Sequence, residues 1–143
     1  NPLPQGAIIG ILGGGQLGRM LSVAAARLGF RTHIFEPGAN PPAGHVADTV
    51  TTASYEDETA LRAFGNAVDV ITYEFENVPT SALDLLGSLA PIHPGREALR
   101  ISQDRISERI FCLLLAFRLR PMPPLMTPLP CKPHSRKLGR LPF

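Results

Sequence analysis

IIGILGGGQLGRM, residues 8–20, joins an apolar run to a glycine-rich turn and the start of a helix. The apolar part, Ala7–Leu12, is rich in β-branched residues, which is typical of a central strand in a parallel sheet. Gly13, Gly15 and Gly18 then follow the spacing G-x-G-x-x-G. Glycines let backbone N–H groups at a helix N-terminus approach an anion closely, because no Cβ stands in the way. The stretch therefore predicts an α/β domain whose first turn holds a phosphate.

Strand and helix patterns alternate along the following residues. Apolar runs predict four further strands, at Arg31–Phe35, Thr49–Thr52, Asp69–Tyr73 and, as a short fifth strand, Pro91–Pro94. Helical spacing predicts a helix after the first, third and fourth strands, a short helix at Glu97–Ile101 and a last helix with Ser102 as its N-cap. The alternation favours an α/β fold of the Rossmann-like kind, a parallel sheet with helices on both faces.

The first predicted helix follows the glycine turn and ends at Gly29. Spacing of i, i+3 and i+4 places its apolar residues on one face. We expect this face to be buried, with Leu17, Leu21, Ala24, Ala25 and Leu28 against the sheet.

Carboxylates follow two of the predicted strands. Glu36 ends the second strand, where an acid in a nicotinamide-binding domain would meet a ribose. Glu74 and Glu76 follow the fourth strand and point to one side if the segment stays extended. Acids at this end of a parallel strand lie beside the ligand crevice of such folds, although a solvated strand end also carries acids. The loop Pro37–Gly44 is interpreted as a surface connection.

Composition divides the chain near residue 111. Residues 1–110 carry twelve acids and eight arginines, whereas residues 111–143 carry six basic residues and no acid. Seven of the fifteen prolines also fall in this last part, where they block helices and central strands. We therefore expect an α/β domain over residues 1–111 and an irregular, proline-rich, basic tail over residues 112–143. The tail is either an unstructured segment or the product of a shifted reading frame.

The length and composition of the chain exclude several classes of protein. The 143 residues suit one domain of ordinary size. No apolar run has membrane-spanning length, and the two cysteines give neither metal spacing nor a disulfide framework. Aromatic residues do not alternate with the basic residues of the tail, so we expect no specific nucleic-acid binding. A cytoplasmic protein without membrane contact is the expectation.

Several short sequence blocks, which follow one another in a fixed order along the chain, resemble those of a known family. They are Gly13–Met20, Glu36-Pro37, Ala47-Asp48, Thr72–Pro79 (TYEFENVP) and Gln103-Asp104-Arg105. Together they resemble the N-terminal domain of carboxyaminoimidazole ribonucleotide synthetases, the PurK family of ATP-grasp ligases, over about residues 7–111. The paired blocks GGGQLGRM and YEFENVP are far more specific than the glycine spacing alone.

The resemblance implies an ATP-dependent carbon–nitrogen ligase of purine biosynthesis. Such an enzyme joins bicarbonate to 5-aminoimidazole ribonucleotide through carboxyphosphate, cleaves ATP to ADP and phosphate, and uses magnesium. Carried over by position, Gly15, Gln16 and Leu17 line the ribonucleotide, and Glu76 accepts a hydrogen bond from it with Glu74 as a neighbour. Arg105 matches an arginine that contacts ATP at the domain boundary.

The chain departs from this pattern after Phe111. The family continues into ATP-grasp portions that carry the lysines for ATP and the acids for magnesium, and no such features follow here. We therefore assign no catalytic and no metal-ligating residue to this chain, and expect little or no turnover from it alone. Full binding of ATP and Mg²⁺ needs the absent portion. The sequence leaves the oligomeric state open, with a homodimer as one option.

Two other functions stay open at this point. The glycine spacing and Glu36 also suit an NAD-binding Rossmann domain of an oxidoreductase, although Glu74 and Glu76 are an odd lining for a pyrophosphate-bearing cofactor. The chain could also be a non-enzymatic α/β stub that exposes an apolar face where partner domains would pack.

Overall fold

A computed structural model describes residues 2–115 of the chain. Within this range, four strands form one parallel sheet: β1 (Ile8–Leu12), β2 (Arg31–Phe35), β3 (Thr49–Thr51) and β4 (Val70–Tyr73). Their order across the sheet is β3, β2, β1, β4. In the described part of the chain, five α-helices connect or follow these strands: α1 (Gln16–Arg27), α2 (Glu58–Asn66), α3 (Thr80–Leu86), α4 (Arg96–Gln103) and α5 (Arg105–Leu114). The predicted α/β fold is confirmed.

The sheet buries side chains on both of its faces. Leu12, Phe35 and Ile71 lie on one face, where they pack against residues of α2, α3 and α4 in the larger core. Ile11 and Ile34 lie on the other face, together with Ala43 of a short 3₁₀ turn. Helix α1 packs beside that turn on the second face. The helices therefore cover both faces, as the alternation of patterns predicts.

The predicted fifth strand is reduced to a single bridge. Ile92 pairs in parallel with Ile71 at the β4 edge. The Ile71 N–H donates to the Pro91 carbonyl at 2.8 Å, and the His93 N–H donates to the Ile71 carbonyl at 2.9 Å. Pro91 and Pro94 have no N–H to extend the ladder, so the pairing stops there.

Helix α1 buries its small residues rather than its leucines, so the predicted face is wrong. Its buried residues are Gly18, Ser22 and Ala25. Only Ala25 of the predicted set is buried, and the exposed members are Leu17, Leu21, Ala24 and Leu28. The helix lies so close to the preceding turn that a Cβ on Gly18 would stand 2.7 Å from the Gly13 carbonyl oxygen. Small residues must therefore face the protein, and the leucines turn outward.

Helices α4 and α5 meet at Asp104. The predicted N-cap, Ser102, instead lies in the last turn of α4, where its hydroxyl donates to the Leu99 carbonyl at 2.9 Å. Asp104 is the N-cap of α5, because its side chain accepts a hydrogen bond from the Ser107 N–H at 2.6 Å.

The predicted tail falls largely outside the described residues. Helix α5 continues to Leu114, beyond the boundary predicted at residue 111. Residues 116–143 lie outside the described part, so the division of the chain into residues 1–111 and 112–143 stays a prediction. Within residues 2–115, no helix combines the length and apolar character needed to cross a membrane.

His33 in β2 makes the stability of the fold depend on pH. Its side chain is buried, with Nε2 2.8 Å from the Thr51 hydroxyl and the ring edge-on to Phe64. Burial lowers the pKa of His33 below its usual 6.5, so the unfolded chain binds the proton more readily than the folded chain. The contribution of His33 to the free energy of unfolding is therefore fully present above about pH 6.5, and it is lost as the pH falls below this value.

We expect urea denaturation to show a fall in the free energy of unfolding between about pH 7 and pH 5. A His33→Gln variant should show a shallower fall, whereas His45→Gln, at an exposed histidine, should keep the wild-type slope. Equal slopes in all three proteins would show that His33 does not carry this dependence.

Candidate functional site

The glycine turn lies at the carboxyl end of β1, in the middle of the sheet. Gly13 adopts a φ of 106°, in the left-handed region that favours glycine. Its N–H donates to the Phe35 carbonyl of β2 at 3.0 Å. A Cβ on Gly13 would stand 2.5 Å from Cγ of Glu74. Residue 13 therefore has to be glycine, because both its conformation and the nearby glutamate exclude a side chain.

Glu74 places its carboxylate inside the turn. Its Oε1 accepts a hydrogen bond from the Gly15 N–H at 2.7 Å, and its Oε2 accepts a short one from the Gly18 N–H. These are backbone groups that the sequence assigns to a phosphate. The two amides at this helix start are thus satisfied by the protein's own carboxylate.

Glu36 also accepts hydrogen bonds from the backbone at the glycine turn. Its Oε2 accepts from the Gly14 N–H at 2.7 Å, and its Oε1 accepts from the Gly38 N–H at 2.9 Å. The nicotinamide alternative assigns this acid to a ribose hydroxyl. In the structure, both oxygens already have a backbone donor, and the residue joins the turn to the following loop.

The loop Pro37–Gly44, interpreted as a surface connection for most of its length, is exposed at residues 37–40 but packs on the turn beyond them. The Ala43 N–H donates to the Gly14 carbonyl at 2.9 Å, and Ala43 is fully buried. A Cβ on Gly14 would stand 2.5 Å from the Cβ of Pro41, so the loop lies directly on the turn. The composition of a loop predicts its irregular backbone but not this contact.

The turn, the loop and the first residues after β4 line an open cavity of about 320 Å³. Its lining includes the acids Glu36 and Glu74 and the apolar side chains of Pro41, Pro42 and Phe75. Burial, and then the charges of Glu36 and Glu74, raise the pKa of the nearby Tyr55 hydroxyl, so it stays protonated at neutral pH. The cavity lining therefore combines acidic groups with apolar, partly aromatic ones.

The predicted substrate residues are only partly brought together. Gly15 and Glu74 line the cavity, whereas Gln16 and Leu17 lie at the exposed start of α1 and line two neighbouring surface grooves. Glu36 and the loop residues that line the cavity are absent from the predicted ribonucleotide site. Two signals pointed to Glu36, which are its place at the end of the second strand and the resemblance block Glu36-Pro37, whereas nothing beyond that block pointed to the loop.

The segment that carries Glu74 and Glu76 leaves the extended conformation directly after β4. Residues 74 and 75 form a bend and residues 76 and 77 form a turn, so the condition for both acids to share one side is not met. The Gln103 side-chain amide fixes this turn by donating to the Glu76 carbonyl at 2.7 Å and to the Val78 carbonyl at 2.8 Å. The Glu76 residue is consequently exposed on a braced turn.

Arg105 lies apart from the glycine turn. It is the first residue of α5, and its largely exposed guanidinium pairs with Glu108 one turn later on the same helix. Within residues 2–115, no three histidine, cysteine or acidic side chains are grouped so that they could hold a metal ion.

Comparison with known proteins identifies the domain. A family model described as the ribonucleotide synthetase preATP-grasp domain matches residues 7–103. The N5-carboxyaminoimidazole ribonucleotide synthase of Brucella melitensis is 55% identical over 109 residues, which cover 76% of this chain and 30% of that protein.

Two solved structures have the same fold. N5-carboxyaminoimidazole synthetase of Staphylococcus aureus, complexed with ADP, aligns with a TM-score of 0.78 and 39% identity over 85% of this chain and 32% of its own. The Aspergillus clavatus enzyme, in complex with ADP and 5-aminoimidazole ribonucleotide, aligns with a TM-score of 0.71 and 32% identity over 80% of this chain and 31% of its own.

This chain thus spans about a third of the length of the relatives that it matches. The matched region contains all the residues that form the cavity, from the glycine turn to Phe75. The chain belongs to the ribonucleotide synthetase preATP-grasp domain family.

Proposed function

We propose that the chain is the substrate-binding N-terminal domain of a purine-biosynthesis ligase. The complete enzyme would carboxylate 5-aminoimidazole ribonucleotide with bicarbonate and ATP, giving carboxyaminoimidazole ribonucleotide, ADP and phosphate. The observation that carries the proposal is the convergence of the glycine turn and the segment after β4 at one edge of the sheet. Leu12 at the end of β1 pairs with Tyr73 at the end of β4, so both segments leave the sheet side by side.

In this proposal, Gly15, Gln16 and Leu17 line the ribonucleotide, and Gln16 and Leu17 present their backbone N–H groups to it, because the Gly15 N–H is bonded to Glu74. Glu76 supplies a carboxylate acceptor for its hydroxyl or amino groups, and Glu74 lies next to them. The apolar lining at Phe75 suits a flat heterocycle, because aromatic and proline side chains bury such a ring without competing for its polar atoms.

In this proposal, Arg105 contributes to the binding of ATP. Its side chain is 77% exposed and its partner Glu108 is on the same helix, so a phosphate could replace that partner without disturbing the core. ATP, Mg²⁺ and bicarbonate would be held mainly by further domains. A cytoplasmic location and a homodimer complete the proposal.

Glu76→Ala should weaken ribonucleotide binding without unfolding the chain. Loss of a hydrogen bond to a charged acceptor costs about 1.5–3 kcal/mol, or about tenfold to a hundredfold in affinity. The residue is exposed, so stability should change by less than about 0.5 kcal/mol. Calorimetric titration with 5-aminoimidazole ribonucleotide measures the first effect, and thermal unfolding measures the second.

The matched control is Glu56→Ala, which removes an exposed carboxylate from another turn, one that the proposal does not assign to the ribonucleotide. It should bind the ribonucleotide as tightly as the wild type. Equal affinity in all three proteins would remove Glu76 from the site, and loss of affinity in both variants would point to a general effect of charge.

The chain alone should hydrolyse ATP slowly or not at all, even with the ribonucleotide present. The reaction needs both substrates held in one geometry, and in this proposal the described residues supply the ribonucleotide side and only Arg105 for ATP. A phosphate-release assay measures this, and hydrolysis that depends on the ribonucleotide would contradict the expectation.

A further inference from the structure

Helix α1 begins without a cap from its own sequence. Gly15 is its N-cap and has no side chain, and the first turn contains no acid. A helix leaves its first N–H groups without intrahelical partners, and they carry a partial positive charge. A Ser, Thr or Asp at the N-cap usually satisfies one of them. At α1 the partner has to come from elsewhere in the chain.

That partner is a carboxylate from the end of β4. One oxygen of Glu74 accepts from the N-cap amide of Gly15, and the other accepts from Gly18, three residues along the helix. A capping box satisfies the same two amides with two local side chains. Here one carboxylate, which is 59 residues from Gly15 and 56 from Gly18, bridges both.

The close fit of the turn to this carboxylate supports the same conclusion. A Cβ on Gly15 would stand 2.8 Å from Oε1 of Glu74, and a Cβ on Gly18 would stand 3.0 Å from Oε2. The glycines therefore admit the protein's own carboxylate, with no space for a phosphate in the same place. The N–H groups of Gln16 and Leu17, between the two bridged amides, are the ones left to face a ligand.

We propose that Glu74 is a positioning residue, whose carboxylate caps α1 from the end of β4 and fixes Gln16 and Leu17 for ligand binding. It does not itself bind the ribonucleotide. The turn accordingly is not the phosphate site of the wild-type chain. The part of the proposal that concerns Gln16 and Leu17 rests on the proposed function, whereas the cap itself does not.

The cap can be measured directly in the wild-type chain. Nuclear magnetic resonance should detect scalar couplings across two hydrogen bonds, from the Gly15 and Gly18 amide nitrogens to the Glu74 side-chain carboxyl carbon. Absence of both couplings, with fast solvent exchange of both amides, would overturn the proposal. This measurement needs no variant and no ligand.

Chemical rescue tests whether the Glu74 carboxylate itself stabilises the start of α1. Glu74→Ala should lower Tm by roughly 4–8 °C, since a helix loses its cap. Added formate should occupy the vacated position and recover most of that loss. The control is Glu76→Ala, which removes the same charge two residues away, and formate should leave its Tm unchanged.

The same variant separates the cap from the proposed function. If Glu74→Ala binds 5-aminoimidazole ribonucleotide weakly and formate restores the affinity, then Glu74 acts through the turn. Affinity that formate does not restore, although it restores Tm, would make Glu74 a direct ligand and overturn the positioning role. If the wild type shows both couplings but binds no ribonucleotide, the cap stands and the proposed function fails. If Glu74→Ala does not fold, the couplings in the wild type decide.

Discussion

Replacing Phe35 by alanine should lower the free energy of unfolding by about 3–5 kcal/mol. Phe35 is fully buried at the end of β2, where it stacks on Tyr55 and meets Phe64 edge-on. The truncation removes these contacts and leaves a cavity that the sheet cannot close, because Leu12 and Phe35 are paired in the ladder. Urea denaturation followed by circular dichroism measures the change.

Leu28→Ala is the control for this prediction, because it tests the outward face of α1. Leu28 is 71% exposed, so its truncation should change the free energy of unfolding by less than about 0.5 kcal/mol. The sequence alone predicts the opposite, since Leu28 belongs to the apolar face that helical spacing assigns to the core. Similar losses for Leu28→Ala and Phe35→Ala would mean that α1 is rotated relative to the structure.

Replacing Gly18 by alanine should cost about 1–3 kcal/mol of stability, although alanine is the better helix former. The new Cβ would stand 2.7 Å from the Gly13 carbonyl oxygen and 3.0 Å from Oε2 of Glu74. A backbone oxygen cannot move aside as a flexible side chain can, so α1 has to shift away from the turn. Ribonucleotide binding should weaken with it, because Gln16 and Leu17 move with the helix.

Gly95→Ala is the matched control, since Gly95 is also at a helix N-terminus but has no atom within 4 Å of an added Cβ. Its stability should fall by less than about 1 kcal/mol, and ribonucleotide binding should be unchanged. A stable Gly18→Ala protein with full affinity would contradict the close packing of α1 on the turn.

The fold was predictable because several local signals agree. The β-branched run at Ile8–Leu12, the glycine turn and the alternating elements each favour a parallel α/β sheet, and the four strands lie where their apolar runs predict. The predicted fifth strand is longer than the single bridge that the structure contains. An apolar run flanked by prolines has the pattern of a strand, but the missing N–H groups of the prolines limit the pairing to one bridge.

The candidate site was less predictable, because its contacts join residues distant in sequence. The glycine spacing predicts amides that face an anion, and it does so correctly. It does not identify the anion as the carboxylate of Glu74. Periodicity likewise predicts an apolar buried face on α1. In the structure, α1 packs against the protein through its small residues, because only these fit beside the turn.

Binding of 5-aminoimidazole ribonucleotide to the wild-type chain tests the central claim most directly. Amide resonances of the ¹⁵N-labelled protein can be followed during titration with the ribonucleotide, and separately with NADH. The account predicts saturable shifts at Gln16, Leu17 and Glu76 with the ribonucleotide and none with NADH. Shifts of the same amides with NADH alone would contradict it and would favour a dinucleotide-binding domain.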